Sequence, residues 1–267
     1  MKNINWYYPV SLSETSSLLE KESVVIHGGG TNLSGRDLSS VEGIICLKHL
    51  GLDSVKLNDE TIEIGATSTY ADVVKALPPE HILVKCLKNA ANTPCRNKIT
   101  LGGSIAFVPT WSDLIAALLA LDAKLILAGK NQGELSLEDY LAKKDLYKKN
   151  LITAVKFKNI PHRSAHYRDA KTVNDMALFS VTVLLELDAD VITSAKAYIV
   201  GTKELITRLP EVEAYLQGKA KADIDEKVIE DLVNVEIIGS RITDPDYMSL
   251  KAKIQTARTI ISALEGD

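Results

Sequence analysis

Short runs of apolar residues, separated by glycine-rich and polar segments, mark the first 160 residues of the chain. Their β-branched composition, and the alternation of Ile62 and Ile64 with polar neighbours, predict short strands. The predicted strands are 23–26 (SVVI), 43–47 (GIICL), 61–65 (TIEIG), 124–128 (KLILA) and 151–157 (LITAVKF). This pattern predicts a region of short strands and helices joined by glycine-rich turns.

Two helices are predicted within this region. Thr69 is placed to cap the first, with Asp72 three residues later and apolar residues on the buried side. The second spans 114–121 (LIAALLAL), with Ser112 as its cap. Because this segment is apolar almost all round, it is expected in the interior.

The sequence changes character after residues 159–162 (NIPH), where Pro161 ends any regular element. Two longer runs, 176–187 and 191–200, predict paired strands across the turn at 188–190. The remainder is predicted to be helical. Apolar residues recur at spacings of three and four in the last helix, which predicts a seam packed on a core, or less favourably on a partner subunit: Tyr247, Leu250, Ile254, Ala257, Ile261 and Leu264.

Composition and charge exclude several classes of protein. With 46% hydrophobic and 25% charged residues the chain is an ordinary globular protein. Its 31 basic residues are interspersed among 35 acidic ones, so no basic footprint for nucleic acid is present. The N-terminus MKNINWYYPV has no apolar export region, and no run approaches the length of a membrane span. A cytoplasmic location is expected.

The cysteines and histidines give no metal or catalytic motif. Cys46, Cys86 and Cys95 have no CxxC spacing, so a zinc site or disulfide framework is not predicted. Three cysteines also cannot by themselves hold a four-cysteine iron–sulfur cluster. The five histidines are scattered, without HExxH. We therefore predict no catalytic side chain and no metal ligand.

A glycine-rich loop at 28–35 (GGGTNLSG) directly follows the strand at 23–26. It lacks the third glycine and the following helix of a dinucleotide fingerprint, and no Lys follows Gly35 as in a P-loop. The remaining design is a nest of backbone N–H groups, in which glycine lets an anion approach the main chain.

A second glycine pair, in the segment 100–104 (TLGGS), is predicted to form another loop with the same chemistry. Two such loops suit a pyrophosphate. Asp113 follows nine residues after Ser104 and has two interpretations: it stabilises the dipole of the helix that Ser112 caps, or it also contacts a nucleotide. The second is slightly favoured.

Several longer motifs give the chain a specific resemblance. It resembles the FAD-binding subunits of the xanthine dehydrogenase and carbon monoxide dehydrogenase group of molybdenum hydroxylases, in the family's order and over almost the whole chain. The motifs are GGGTNL at 28–33, IGATSTYADV at 64–73, RNKITLGGSIAFVPTWSDLIAALLALDAKLIL at 96–127, LSLEDYL at 135–141, LITAVKF at 151–157 and YRDAKTVNDMALFSVTVLL at 167–185.

The resemblance implies an α+β protein built from a two-subdomain FAD-binding fold of the vanillyl-alcohol-oxidase type. By this pattern, residues 1–160 form the FAD-binding domain, with subdomains at about 1–52 and 53–160. Residues 161–267 form a smaller α+β C-terminal domain with an antiparallel sheet and helices.

The resemblance also implies the residues that bind FAD. Residues 26–33 are expected to wrap the pyrophosphate, 100–104 to face them, and Asp113 to hydrogen-bond nucleotide or ribityl hydroxyls. Where the family usually has Asn, Ser104 can lose one hydrogen bond to FAD. The implied cofactor-binding residues are Ile26, His27, Gly28, Gly29, Gly30, Thr31, Asn32, Leu33, Thr100, Leu101, Gly102, Gly103, Ser104, Asp113, Leu151 and Arg168.

The function implied is electron transfer in a complex. In the family, electrons pass from a molybdenum centre through 2Fe–2S clusters to FAD, and this chain lacks ligands for the first two. A molybdopterin-binding large subunit and a 2Fe–2S small subunit are therefore the expected partners, with NAD+ or another molecule as acceptor.

Two alternatives stay open. The GGGTNL loop also resembles UDP-N-acetylenolpyruvoylglucosamine reductase, a stand-alone FAD reductase of related fold, although its Ser or Cys proton donor and C-terminal Glu cannot be placed here. The other is a non-catalytic scaffold subunit with a decayed flavin site, suggested by Ser104 and the irregular C-terminal half.

Overall fold

The structure is a computed structural model that describes residues 4–239 and 241–266. Its strands are β1 (Asn5–Tyr7), β2 (Val24–His27), β3 (Gly43–Cys46), β4 (Val55–Leu57), β5 (Thr61–Gly65), β6 (Lys124–Gly129), β7 (Gly133–Ser136), β8 (Asn150–Lys158), β9 (Arg163–Asp169), β10 (Phe179–Asp188), β11 (Val191–Thr202) and β12 (Leu205–Arg208). Its α-helices are α1 (Leu12–Leu19), α2 (Tyr70–Ala76), α3 (Ile82–Leu87), α4 (Thr93–Arg96), α5 (Leu101–Ala106), α6 (Ile115–Ala120), α7 (Leu137–Ala142), α8 (Pro210–Leu216), α9 (Glu226–Leu232) and α10 (Pro245–Glu265).

These elements form two compact units. The first comprises Met1–Ala76, Thr93–Val108 and Asp122–Asn159, and the second comprises the remaining segments, Leu77–Asn92, Pro109–Leu121 and Ile160–Asp267. The last change of unit falls beside Pro161, where the sequence predicts the domain junction. The units differ from the predicted domains because α3 and α6 belong to the second unit.

The first unit contains two sheets. A three-stranded parallel sheet has the order β1-β3-β2, and a five-stranded antiparallel sheet has the order β4-β5-β8-β6-β7. All five strands predicted in this region are present. The strands β1, β4 and β7 are additional, and each is only three or four residues long. Such short segments show too little periodicity to be recognised.

An apolar cluster of the first unit lies beneath the strand that enters the glycine loop. Leu19 of α1, Ile45 of β3, Leu47 and Leu151 of β8 are buried together. Ile26 of β2 packs against the same cluster. The start of the glycine loop is therefore held on a packed core.

The second unit is built on a four-stranded antiparallel sheet of order β12-β11-β10-β9. The predicted pair of strands at its centre is confirmed: β10 and β11 pair from Ser180–Val200 to Asp188–Val191, around a turn in which Ala189 has a φ of 51°. Helices α6, α8 and α10 pack on this sheet. The predicted helical remainder is wrong at β12, which pairs with β11.

The predicted apolar seam of α10 is confirmed at Ala257 and Leu264 and wrong at Tyr247 and Leu250. Tyr247 and Leu250 are 58% and 54% exposed, and the buried residues are Met248, Ala252, Thr256, Ala257, Thr259, Ile260, Ala263 and Leu264. The hydroxyls of Thr256 and Thr259 donate to Ala252 O and Gln255 O in the preceding turn. Because these threonines satisfy their own polar groups, they can lie on the buried face.

His81 caps α3, and its side chain should make the stability of the second unit sensitive to acid. Its Nδ1 accepts from Leu83 N at 3.2 Å, which requires an unprotonated nitrogen. Burial lowers the pKa of His81 to about 4, and the neighbouring His162 adds to this effect. A histidine of ordinary pKa, near 6.5, binds its proton more readily in the unfolded chain. We therefore expect the stability contributed by neutral His81 to be complete above about pH 6.5 and to be lost as the pH falls towards 4.

The size of this effect is on the order of 3 kcal/mol, since one pKa unit corresponds to about 1.4 kcal/mol. Urea unfolding at several pH values in this window measures it. His81→Asn keeps a capping side chain that does not titrate, and should reduce the pH dependence, of which His162 keeps a part because burial lowers its pKa too. His49→Asn, at an exposed position, should leave it unchanged. A wild-type stability independent of pH across the window would refute the role of His81.

No helix in the described part of the chain is long and apolar enough to cross a membrane.

Candidate functional site

The first glycine segment is an open loop at the end of β2. Gly30 has a φ of +74°, in the left-handed region that favours glycine. Beyond it the chain turns, with Leu33 N and Ser34 N both donating to Gly30 O. Within the described residues, no backbone carbonyl accepts a hydrogen bond from the amides of Gly29, Gly30, Thr31 or Asn32. These amides are therefore available as donors, and the binding of an anion by the loop stays a prediction.

The structure brings the two glycine segments together. A Cβ added to Gly28 would lie 2.8 Å from Thr100 Oγ1, and one added to Gly29 would lie 1.5 Å from Lys98 O. The main chain of the loop thus passes directly against the segment that leads into residues 100–104. Only glycine permits this approach at position 29.

The prediction of a second open loop at residues 100–104 is wrong, because this segment begins α5. Thr100 is the N-cap and its Oγ1 accepts from Gly103 N. The amides of Leu101, Gly102 and Ser104 donate to Ser68 O, Ala66 O and Thr100 O respectively. The four amides of 101–104 are thus engaged within the chain, unlike those of the first loop.

Close packing explains why a glycine is present in this helix. A Cβ at Gly102 would lie 2.7 Å from the Cβ of Ala66, so a side chain there would separate α5 from the segment after β5. Ser104 accepts from Tyr70 Oη at 2.9 Å and donates to Thr100 O at 3.1 Å. The shorter side chain that departs from the family pattern is therefore part of a local hydrogen-bond chain.

His27 lies against the open loop. A Cβ at Gly30 would lie 2.5 Å from His27 Nε2, and the Trp6 ring meets the imidazole edge-on at 5.3 Å between centroids. His27 Nδ1 is buried without a hydrogen-bond partner. Leu151, in contrast, lies in the apolar cluster with Ile45. Contact of either residue with a cofactor stays a prediction.

Asp113 and Arg168 meet in the second unit, 55 positions apart in the sequence. Asp113 Oδ2 accepts from Arg168 Nε at 3.0 Å, and the two side chains are 2% and 10% exposed. Arg168 also donates to the carbonyls of Val173 and Asp175. The pair thus holds the connection between β9 and β10. The carboxylate is engaged inside the unit, so its contact with a nucleotide stays a prediction of the resemblance.

His166 is the member of this cluster that sequence reasoning missed. Its Nδ1 lies 3.0 Å from Thr182 Oγ1, and its Nε2 lies 3.4 Å from Asp113 Oδ1. Burial by itself lowers the pKa of His166, but the adjacent Cys86 and Asp113 groups reverse this and raise it above the ordinary value. Ser164, His166 and Arg168 alternate along β9 and so lie on one face of the strand. Once residues 163–169 are assigned to a strand, this spacing places His166 beside Arg168.

The chemistry available in the first unit is anion binding by main-chain groups. The loop presents amides, and the close approach at Gly29 leaves no room for a side chain. Across residues 4–239 and 241–266, no group of three or more His, Cys, Asp or Glu residues is placed to hold a metal ion. The arrangement suits a phosphate-bearing organic cofactor.

Comparison with known proteins agrees with this geometry. The sequence profile of a family described as the FAD binding domain in molybdopterin dehydrogenase matches residues 2–161. An uncharacterised Escherichia coli protein, YgfM, is 32% identical over 140 residues, which are 51% of this chain and 53% of YgfM. The chain thus spans about half the length of this relative.

Two further similarities extend over more of the chain. The glyceraldehyde dehydrogenase medium chain of Sulfolobus acidocaldarius is 25% identical over 205 residues, covering 73% of this chain and 70% of that protein. A carbon monoxide dehydrogenase structure from Hydrogenophaga pseudoflava, which lacks the Mo-pyranopterin moiety of its cofactor, matches with a TM-score of 0.90 at 19% identity. That match covers 99% of this chain and 98% of the other, and it confirms the predicted fold class.

Proposed function

The chain belongs to the family of FAD-binding domains of molybdopterin dehydrogenases, and we propose that it is the FAD-binding electron-transfer subunit of a molybdenum hydroxylase complex. In this role it stands between iron–sulfur clusters and a final acceptor, either NAD+ or another molecule. The observation that carries the proposal is the main-chain approach at Gly29, combined with the amides of the following residues that have no backbone acceptor.

The residues of the first unit fit FAD. A pyrophosphate carries negative charge and many acceptor oxygens, and the amides of Gly29, Gly30, Thr31 and Asn32 are donors without a backbone partner in the described residues. A side chain at Gly29 would meet Lys98 O at 1.5 Å, so glycine lets this loop lie against the segment before α5 and keeps its amides in place. Gly28–Asn32 would therefore hold the pyrophosphate.

The remaining residues support this cradle rather than react. Thr100 caps α5 and faces Gly28, which fixes the distance between the two segments. Ile26 anchors the start of the loop on the apolar cluster. When bound, FAD supplies the redox chemistry, and the protein's part is to bind and orient it. Thr31, Asn32 and Leu33 stay proposed contacts, as do Leu101–Ser104, Asp113, Leu151 and Arg168.

The proposed partners are a molybdopterin-binding large subunit and a 2Fe–2S small subunit. Support comes from the relative named as a medium chain of glyceraldehyde dehydrogenase, a name that implies larger and smaller companions. The structural similarity to a carbon monoxide dehydrogenase points to the same class of complex.

Native purification tests this function. We expect the chain to co-purify with two other subunits, and one preparation should contain flavin, iron and molybdenum. Reduction of the flavin absorbance by the complex's substrate under anaerobic conditions, and its recovery on adding NAD+, would identify the acceptor. Recovery only with other oxidants would leave the subunit role in place and exclude NAD+. A flavin-free chain isolated alone would refute the proposal and favour a scaffold.

A further inference from the structure

A pocket in the second unit collects basic side chains. It has a volume of about 390 Å³ and is lined by residues of α3, β9 and α10 and by the residues that follow α3. Its polar lining consists mainly of Lys85, Lys88, Asn89, His166, Arg168 and Ser262. This volume lies within the range of about 300–1,000 Å³ found for small-molecule sites.

The charge of this lining has one sign. Lys85, Lys88 and Arg168 are cationic, and no Asp or Glu is among the lining residues. Two carboxylates contact lining side chains from outside the lining: Asp113 pairs with Arg168 and faces His166, and Asp169 accepts from Tyr167 Oη and pairs with Lys251. Asp113 offsets the charge of Arg168, so Lys85 and Lys88 carry the positive charge that the lining presents. A pocket with this charge attracts an anion.

Several of these groups are fixed in place. Lys85 Nζ donates to Ser164 O at 2.8 Å, which holds its ammonium group beside β9. Arg168 is held by Asp113, and His166 by Thr182. Donors that are already positioned lose little conformational entropy when a ligand binds. Lys88 and Asn89 are exposed and can complete the site from its rim.

We propose that this pocket binds the phosphate group of a small molecule. A carboxylate offers two oxygens and a single charge, whereas a phosphate monoester offers three terminal oxygens and about −1.5 to −2 charge. Lys85 and Lys88, with Asn89 and Ser262 as neutral donors, match the charge and the oxygens of a phosphate better. The pocket is larger than phosphate alone requires, so the ligand carries an organic part.

Calorimetric titration of the full-length chain, loaded with FAD, tests the site. Inorganic phosphate and AMP are the probes, and acetate represents carboxylates. We expect one phosphate per chain, tighter binding of AMP if the organic part is recognised, and weaker binding of acetate. Equal affinity for AMP and inorganic phosphate would restrict the ligand to the free anion. Tighter binding of acetate would overturn the phosphate assignment.

Variants locate the site. Lys88→Glu, at an exposed position, should fold normally and weaken phosphate binding by at least about tenfold, as expected for a lost charge-assisted hydrogen bond. Lys85→Met should have a similar effect, with its folding checked by thermal unfolding. Lys227→Glu makes the same change of charge on α9, outside the lining, and should leave binding unchanged. No binding, equal loss in all three variants, or displacement of phosphate by FAD would refute the proposal.

Discussion

Gly29→Val should yield a chain without bound flavin. Its Cβ would lie 1.5 Å from Lys98 O, a distance that no side-chain movement can relieve because the obstacle is main chain. The loop must move away from the segment that precedes α5, and its amides then no longer converge on one anion. The ratio of flavin absorbance to protein in the purified variant measures the loss.

Gly35 is the matched control for this experiment. It lies in the same loop, and a Cβ at this position meets nothing within 4 Å. Gly35→Val should therefore keep its flavin. Gly28→Ala, whose Cβ would lie 2.8 Å from Thr100 Oγ1, should lose flavin partially and serves if the valine variant does not fold. A folded Gly29→Val chain with full flavin content would show that the cradle does not bind FAD, while low flavin in the wild type would favour the scaffold alternative.

Asp113→Ala should destabilise the second unit by about 3–5 kcal/mol. The substitution leaves the Arg168 guanidinium, which is 10% exposed, without its carboxylate partner, and uncompensated buried charge is costly. His166 loses the same neighbour. The free energy of unfolding from urea denaturation measures the effect.

A double variant separates the ion pair from simple loss of packing. Asp113→Leu with Arg168→Met removes both charges and should be less destabilised than Asp113→Leu alone, because the buried guanidinium that has lost its partner is then absent too. Additive effects of the two substitutions would contradict the ion-pair explanation. Flavin content of the folded variants also reports whether Asp113 and Arg168 contribute to cofactor binding.

The strands could be predicted from the sequence where the apolar pattern is long or β-branched. The runs that became β2, β3, β5, β6, β8, β10 and β11 are of this kind. The segment 101–106 could not be predicted as a helix, because its two glycines normally argue against one. Gly102 is needed because it packs against Ala66, which lies 36 positions earlier in the chain. The local sequence does not show this contact.

The candidate site divides in the same way. The open loop at 28–33 could be predicted because glycine clusters after a strand have few structural explanations. The approach of Gly29 to Lys98 and the cluster of Asp113, His166 and Arg168 depend on pairing between distant segments. On α10, threonines that bond within the helix occupy part of the buried face, so the apolar pattern identified Ala257 and Leu264 and missed Thr256 and Thr259.

The interleaving of the two units has an evolutionary consequence. Residues 160–267 form most of the second unit, but α6 from residues 109–121 packs on β10 and β11, and α3 from residues 77–92 packs on β9. A gene fusion or truncation near residue 160 would therefore transfer the sheet with α8 and α10 but without α3 and α6. The shortest continuous segment that contains the whole second unit, 77–267, also carries residues 93–108 and 122–159 of the first unit, so recombination cannot move the second unit alone.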